Sequence, residues 1–482
     1  MVALFSYFSD SETETMKEQV FRLLAEDGVK LDSHPQLIPA LTKAGYQMDE
    51  ASGILKIPVD RMKAALEEAP KSFKLGARNP ERILQLPKPG GGFWARTCTG
   101  GHAWLEPDGS YRRVTLNDVA KWSQLSNALD EISFLSFLFA DDAPVYSADV
   151  HSMVSVVNNT DKHLWVQPYE AKNVDYLVKL GEAVAGGAAK LKENPVISFI
   201  ACSLTPRLFK HMDLEIIYKS ALAGTPIQAC SLPGAGATSP ITVPGVVILA
   251  TAEILAMTAM AQAVQPGTPV VACPIIFSSD MRSGRSLQSS AEAIKAGSAC
   301  VQFIKKAFAL PTHNYGLGSD AAGLGEQNMA ERTMLLTAKA LSGQDIMGGA
   351  GQTEVAVCVS PLQLIADNEL LSMARVLVSP IELNDNSMAT AVLKKVEPGK
   401  EFISQSHTVK NCRNLLPQKN FNRMTMTAWK DAGEPDLQAA LRADYEKIMA
   451  APNTGAASAD LTRELDEIVK AADAALKEAA GK

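Results

Sequence analysis

The chain has no excess of positive charge: 46 Lys and Arg stand against 53 Asp and Glu, a formal net charge of −7. Nucleic-acid binding driven by phosphate contacts needs the opposite balance, and no basic stripe with interleaved aromatics occurs. Cysteine is sparse and odd in number, seven in 482 residues, with no Cys-x-x-Cys pair. Such spacing argues against a disulfide framework and predicts reduced thiols in a cytoplasmic setting. The run Met1-Val-Ala-Leu-Phe-Ser-Tyr-Phe-Ser-Asp10 lacks a basic n-region, so no secretory signal is expected there. No Gly-x-Gly-x-x-Gly follows the first strand pattern, which argues against a dinucleotide-binding crevice. The one long apolar run, Val243–Val264, carries Pro244 near its start and Glu253 at its centre. A carboxylate at mid-span is costly in a bilayer, so no membrane is expected. The small residues suit a buried helix instead, one that a second subunit could share.

What is present is an alternation. Residues 1–90 read as an accessory helical region, with helical spacing over Thr15–Asp27 and Val59–Glu68 and a short extended run at Ile54–Ile57. Pro87-Lys-Pro-Gly-Gly-Gly92 punctuates the chain. From there to residue 380, apolar runs lead into helix-patterned segments eight times. The predicted strands are 102–105, 134–139, 163–167, 196–202, 226–230, 269–273, 312–315 and 345–349. The first is ambiguous, because Gly101–Gly109 could equally form half of a hairpin with Tyr111–Val114. Eight strand-then-helix units predict an α/β fold, a TIM (β/α)8 barrel with N-terminal and C-terminal helical additions. Residues 381–482 form the C-terminal extension, with helices at Asp436–Met449 and Leu461–Ala480 around a linker at Asn453–Ser458.

In such a barrel the residues just past each strand face the active mouth. Here they are Asp141 and Asp142, Gln167 and Tyr169, Ser203, Ser231 through Gly236, Cys273 and Pro274, His313 through Tyr315, Asp320, and Gly348 through Gln352. Bases are few, and His313 is the one histidine well placed. The expected site is a wide mouth with open backbone at Gly234, Gly236, Gly348, Gly349 and Gly351. Tyr169, Tyr315 and Trp165 could wall a cationic ligand or pack under loops. His313 could anchor a carboxylate or sit buried and hydrogen-bonded. Asp141-Asp142 could be paired carboxylates or a capping turn. Cys202, Cys230 and Cys273 end three consecutive strands and could hold zinc for a thiol methyltransferase, or be small buried residues. No residue is assigned a catalytic role, and no resident metal is assigned.

Several stretches resemble the trimethylamine methyltransferase family. They are Lys74-Leu-Gly-Ala-Arg-Asn-Pro-Glu-Arg82, Val156-Val-Asn-Asn-Thr-Asp-Lys-His163, Leu232-Pro-Gly-Ala-Gly-Ala-Thr-Ser-Pro-Ile-Thr242, Gly318-Ser-Asp-Ala321 with Gln327 and Glu331, and Ser406-His-Thr408 with Asn420, Phe421, Arg423 and Trp429. The resemblance spans roughly residues 15 to 450. It implies a TIM barrel that demethylates a methylated amine and passes the methyl to the cobalt of a separate corrinoid-binding protein. The cobalamin then belongs to that partner, and the Asp-x-His-x-x-Gly signature of a corrinoid carrier is absent here. The archaeal trimethylamine enzyme carries pyrrolysine at a place corresponding to Ala321–Gly323. Alanine and glycine there place this chain in the non-pyrrolysine branch, some of whose members act on glycine betaine, carnitine or proline betaine. The resemblance thus implies a quaternary amine held by Gln167, Tyr169, His313, Tyr315 and Asp320, with the five glycines facing the corrinoid. A betaine-binding paralogue without catalysis is the alternative from another class. A homo-oligomer is expected from the terminal helices and the apolar run at 243–264.

Overall fold

The computed structural model describes residues 6–417 and 419–480, so the first five residues of the Met1–Asp10 run lie outside it. Eight parallel strands form its centre: β1 (Trp94–Thr97), β2 (Phe134–Ser136), β3 (His163–Val166), β4 (Ile197–Cys202), β5 (Ile227–Ser231), β6 (Val270–Pro274), β7 (His313–Tyr315) and β8 (Ile346–Ala350). Around them run α1 (Leu116–Ala128), α2 (Ala148–Val157), α3 (Val174–Ala185), α4 (His211–Ala223), α5 (Val243–Val264), α6 (Ala291–Phe308), α7 (Glu326–Leu341) and α8 (Pro361–Val378). The hydrogen-bonded order is β6-β5-β4-β3-β2-β1-β8-β7. At the remaining seam, Ala272 bridges Thr312 and its N–H bonds the Pro311 carbonyl at 2.8 Å. The sheet is therefore a ring, and the fold is the expected TIM barrel.

The first strand is a correction. Ala103–Leu105 pairs antiparallel with Tyr111–Arg113 in a hairpin, and Trp94–Thr97 takes its place in the ring, between β2 and β8. The physical reason is Arg96. A charged residue inside a four-residue run reads as exposed, yet here it points into the barrel and is 1% exposed.

The barrel's N-terminal end is plugged. Strands Phe73–Leu75 and Leu84–Leu86 pair antiparallel, and Leu75, Leu84 and Leu86 pack with Phe134, Val271 and Ile346 of the barrel interior. The Gly76 N–H bonds the Pro195 carbonyl at 2.8 Å, just before β4. The motif that joins the two strands of this hairpin is structural. Arg78 donates to the carbonyls of Thr160 (2.8 Å), Gly455 and Ala456, fastening the 453–458 linker to the body. Lys162 donates its ammonium to the carbonyls of Ser126, Leu129 and Ile132, which close the end of α1.

Helix α5 is the one helix long and apolar enough to cross a membrane among the described residues, and it is mostly buried inside the fold. The N-terminal helices of the same chain, Asp10–Arg22, Leu37–Lys43 and Val59–Glu68, lie on it. Tyr46 Oη donates to the Ala259 carbonyl at 3.2 Å. That cover comes from this chain's own N-terminal helices. At the other terminus, Ala459–Ala480 docks on α2 and α3 through buried Leu465, Val469, Ala472 and Leu476.

Candidate active site

The plug at one end leaves the C-terminal end of the strands as the functional face. Beneath it, one chain of hydrogen bonds runs through the barrel. The Arg96 Nε–H donates to His313 Nε2 at 3.0 Å. That makes Nε2 the acceptor, so Nδ1 carries the proton and points at Cys273 Sγ, 2.9 Å away. The Cys273 thiol donates to Gln228 Oε1 at 3.7 Å, and Gln228 Nε2 donates to Ser198 Oγ at 3.2 Å. Ser198 lies 2.9 Å from His163 Nε2, and His163 Nδ1 lies 2.8 Å from the Gly76 carbonyl. A carbonyl can only accept, so His163 donates to it and takes the serine proton at Nε2. Every donor in the chain points away from Arg96.

Burial keeps the titratable groups beyond Arg96 neutral. It pushes His313 well below its ordinary 6.5, with Arg96 adding to the effect, and His163 down to about 4. Burial also holds the Cys273 thiol well above its ordinary 9. Arg96 itself lies 4.1 Å above the Trp165 ring and 5.6 Å from the Tyr315 ring. Its Nη1 donates to the Thr97 carbonyl at 2.7 Å and to the Thr99 hydroxyl. Burial raises the Tyr315 phenol, so it too stays protonated at neutral pH.

The strand-end loops are tied to the helices behind them. Glu253, buried at the middle of α5, accepts from Ser203 Oγ (2.5 Å), Ser231 Oγ (2.5 Å), Thr205 Oγ1 (2.9 Å) and the Arg207 N–H (2.7 Å). One carboxylate thus fixes the exits of β4 and β5. Gly234–Ala235 pairs with Phe277–Ser279, which pairs with Ser286–Leu287, so the loops after β5 and β6 form one small sheet. After β7, Glu331 accepts from Ser319 Oγ (2.7 Å) and the Asp320 N–H (2.9 Å). The Asp320 carboxylate accepts from the Gln288 and Ser289 N–H groups at 2.8 and 3.0 Å. After β8, Asp367 accepts from Arg332 Nη1 (2.9 Å), the Gly351 N–H (2.7 Å) and Gln363 (3.0 Å).

The structure places the predicted substrate-binding residues in three groups. His313 and Tyr315 meet in the interior with Trp165 and Cys273, and His313 has both ring nitrogens engaged. Gln167 and Tyr169 follow β3, where the Tyr169 ring lies 4.3 Å from Phe139 and its N–H bonds buried Asp149 at 2.8 Å. Asp320 faces the start of α6, clamping one loop to the next. Asp142 accepts from the Leu116 N–H at 2.8 Å, which is the capping role.

The glycines need correction. Gly348, Gly349 and Gly351 are buried, not open backbone at the mouth. A Cβ on Gly348 would stand 2.4 Å from His313 Nε2, one on Gly349 2.1 Å from the Leu317 carbonyl, and one on Gly351 2.2 Å from Trp122. Their smallness makes room for neighbouring groups of this chain. Gly234 is buried with its N–H on Thr238 Oγ1 at 2.9 Å, and Gly236 takes φ +93° at the loop's half-buried turn.

The strand register sets Cys202, Cys230 and Cys273 side by side on β4, β5 and β6. Among the described residues, however, no group of three or more His, Cys, Asp or Glu is disposed to hold a metal ion. Sequence reasoning missed Arg96, Gln228, Ser198 and Glu253. Only Glu253 left a signal, as a lone carboxylate in an apolar helix whose strand-end neighbours, Ser203 and Ser231, are hydroxyls.

Comparison with known proteins agrees with this architecture. The family model described as trimethylamine methyltransferase (MTTB) matches residues 1–476. The trimethylamine methyltransferase MttB of Desulfitobacterium hafniense (strain DSM 10664 / DCB-2) is 28% identical over 440 residues, 89% of this chain and 86% of that protein. A protein named glycine betaine methyltransferase from D. hafniense (strain Y51) is 27% identical over 410 residues, 84% of each. The crystal structure of the Methanosarcina barkeri monomethylamine methyltransferase (MtmB) superposes with a TM-score of 0.54 at 12% identity. That match covers 98% of this chain and 88% of the other, a likeness of fold.

Proposed function

The chain belongs to the trimethylamine methyltransferase family, and on that premise we propose that it moves a methyl group from a quaternary amine to the Co(I) of a corrinoid held by a separate carrier protein. Glycine betaine is the first-choice substrate, before carnitine or proline betaine. The observation that carries this reading is a barrel floor with no proton-trading group beside its Arg96 guanidinium, since His313 is hydrogen-bonded at both ring nitrogens. His313, Cys273 and Tyr315 are all held in their uncharged forms by burial, so they are poorly suited to trading protons. A quaternary ammonium asks for none, because it departs as a neutral amine when its methyl is displaced. The carrier's corrinoid supplies the nucleophile. What is left for this chain is to orient one N–CH3 bond and exclude water.

The rim supports a docked carrier. Leu204, Ile241 and Met281, on the loops after β4, β5 and β6, are 53%, 67% and 72% exposed. Apolar side chains this open, ringed by polar loops, suit a partner surface. The family resemblance puts the pyrrolysine of the archaeal branch near Ala321–Gly323, and the small residues there, Ala321 partly exposed and Gly323 exposed, favour a betaine over trimethylamine. The C-terminal segment supports self-association. Its short helices from Asp385 to Asp431 bury no residue, while Ile381, Leu383, Ile403 and Leu415 stand exposed.

The test is to incubate the purified protein with Co(I) cobalamin and each betaine and follow the cobalt spectrum. Glycine betaine is expected to convert the Co(I) signal at the highest rate. No conversion with any of the three betaines overturns the reading.

A further inference from the structure

Arg96 is a charged group in the wrong place for a structural ion pair. It is 1% exposed, and among the described residues no carboxylate bonds or bridges it. Elsewhere in the molecule the other fully buried arginine, Arg332, has Asp367 at 2.9 Å. A buried, uncompensated guanidinium is strongly unfavourable unless its N–H groups are met. Here Nε and Nη1 are met by neutral acceptors: His313 Nε2, the Thr97 carbonyl and the Thr99 hydroxyl. The chain from His313 through Cys273, Gln228 and Ser198 to His163 turns the acceptor end of every group toward Arg96. Aligned dipoles thus support the charge without cancelling it, and a full positive charge is kept under the mouth.

We propose that Arg96 is the anchor for the carboxylate of a zwitterionic substrate, and is the residue that separates betaines from methylamines lacking a carboxylate. This rests on the betaine reading above and deepens it. Thr99 is half-buried two residues past the mouth end of the same strand, and its hydroxyl marks the position a carboxylate oxygen takes when it replaces that bond. A guanidinium presents paired N–H donors that match a carboxylate. The same charge repels a plain ammonium, whereas a betaine brings its own anion between the two. His313 is then a positioning residue: its Nε2 holds Arg96 Nε, and its other nitrogen is fixed by Cys273.

Calorimetric titration of the full chain tests this with three ligands: glycine betaine, its methyl ester, which keeps the ammonium but not the anion, and acetate, which is the anion alone. The wild type is expected to prefer betaine to the ester. Arg96→Gln weakens betaine roughly 10- to 100-fold, the scale of a hydrogen bond to a charged group, does not weaken the ester, which gains from losing a like charge, and abolishes acetate binding. Arg96→Lys, which keeps the charge, restores part of the preference. Equal losses for betaine and ester in Arg96→Gln overturn the proposal, because a purely structural arginine would give that result. Should Arg96→Gln fail to fold, the wild-type preference decides: equal affinity for betaine and ester sinks the anchor while leaving the betaine reading intact. Arg96-dependent acetate binding without betaine binding sinks the betaine reading and leaves the anchor. A wild type that binds none of the three refutes both.

Discussion

Substituting Gly348 by alanine tests the packing that holds Arg96. The added Cβ would sit 2.4 Å from His313 Nε2 and 3.1 Å from the Arg96 guanidinium. Neither neighbour can give way freely, since His313 is bonded on both sides and Arg96 lies against Trp165. Overpacking of this kind costs about 1–3 kcal/mol, and breaking the Arg96–His313 bond adds about 1.5–3 kcal/mol for a charged donor. The expected loss is about 3–5 kcal/mol, allowing for partial relaxation. Gly323→Ala is the control, because a Cβ there meets nothing within 4 Å; it should change stability by less than about 1 kcal/mol. Urea unfolding followed by far-ultraviolet circular dichroism gives both values from the midpoint shift at constant slope. Indistinguishable midpoints for the two variants would refute the packing argument and return Gly348 to the open-backbone role.

Asp367→Asn leaves Arg332 fully buried without its counter-charge and loosens the Gly351 turn, so it should cost about 3–5 kcal/mol by the same unfolding assay; a loss under about 1 kcal/mol would contradict the pairing. His163 carries a pH signature. Its pKa is held at about 4 in the folded chain against about 6.5 unfolded. The unfolded chain therefore takes the proton first as pH falls, and the stability His163 contributes is lost between pH 6.5 and 4. About 2.5 kcal/mol is gone by pH 4.5. The penalty of His163→Gln should thus be smaller at pH 4.5 than at pH 7, and an unchanged penalty would count against the neutral wire. The paired change Ile381→Glu and Leu383→Glu should lower the assembly state in sedimentation without shifting thermal unfolding of the barrel; an unaltered assembly would remove that segment from any interface.

Much of the barrel could be read from the chain because its elements announce themselves locally. The strands from Phe134 onward are short apolar runs, and α5 is so apolar that its residues 243–264 emerge directly from composition. Site residues were harder to read. Tyr315 and His313 were found because they end a recognisable strand. Arg96 was missed with its strand, since nothing in Trp-Ala-Arg-Thr separates a buried arginine from an exposed one. The glycines of 348–351 were read as surface openings because a glycine carries no sign of which side its missing side chain would have met.

Sequence alone determined the alternation of strand and helix, hence the class of fold, and the motif order that marks the family. The alternation and each separate motif are properties of residues near one another in the chain. Only the tertiary structure decided what the interior does. Closing the ring brings Arg96 of β1 to His313 of β7, Cys273 of β6 and Trp165 of β3, residues separated by up to 217 positions. Removing them from water then fixes their protonation. Proximity across the barrel and burial are set by the whole fold, so no local pattern could carry them.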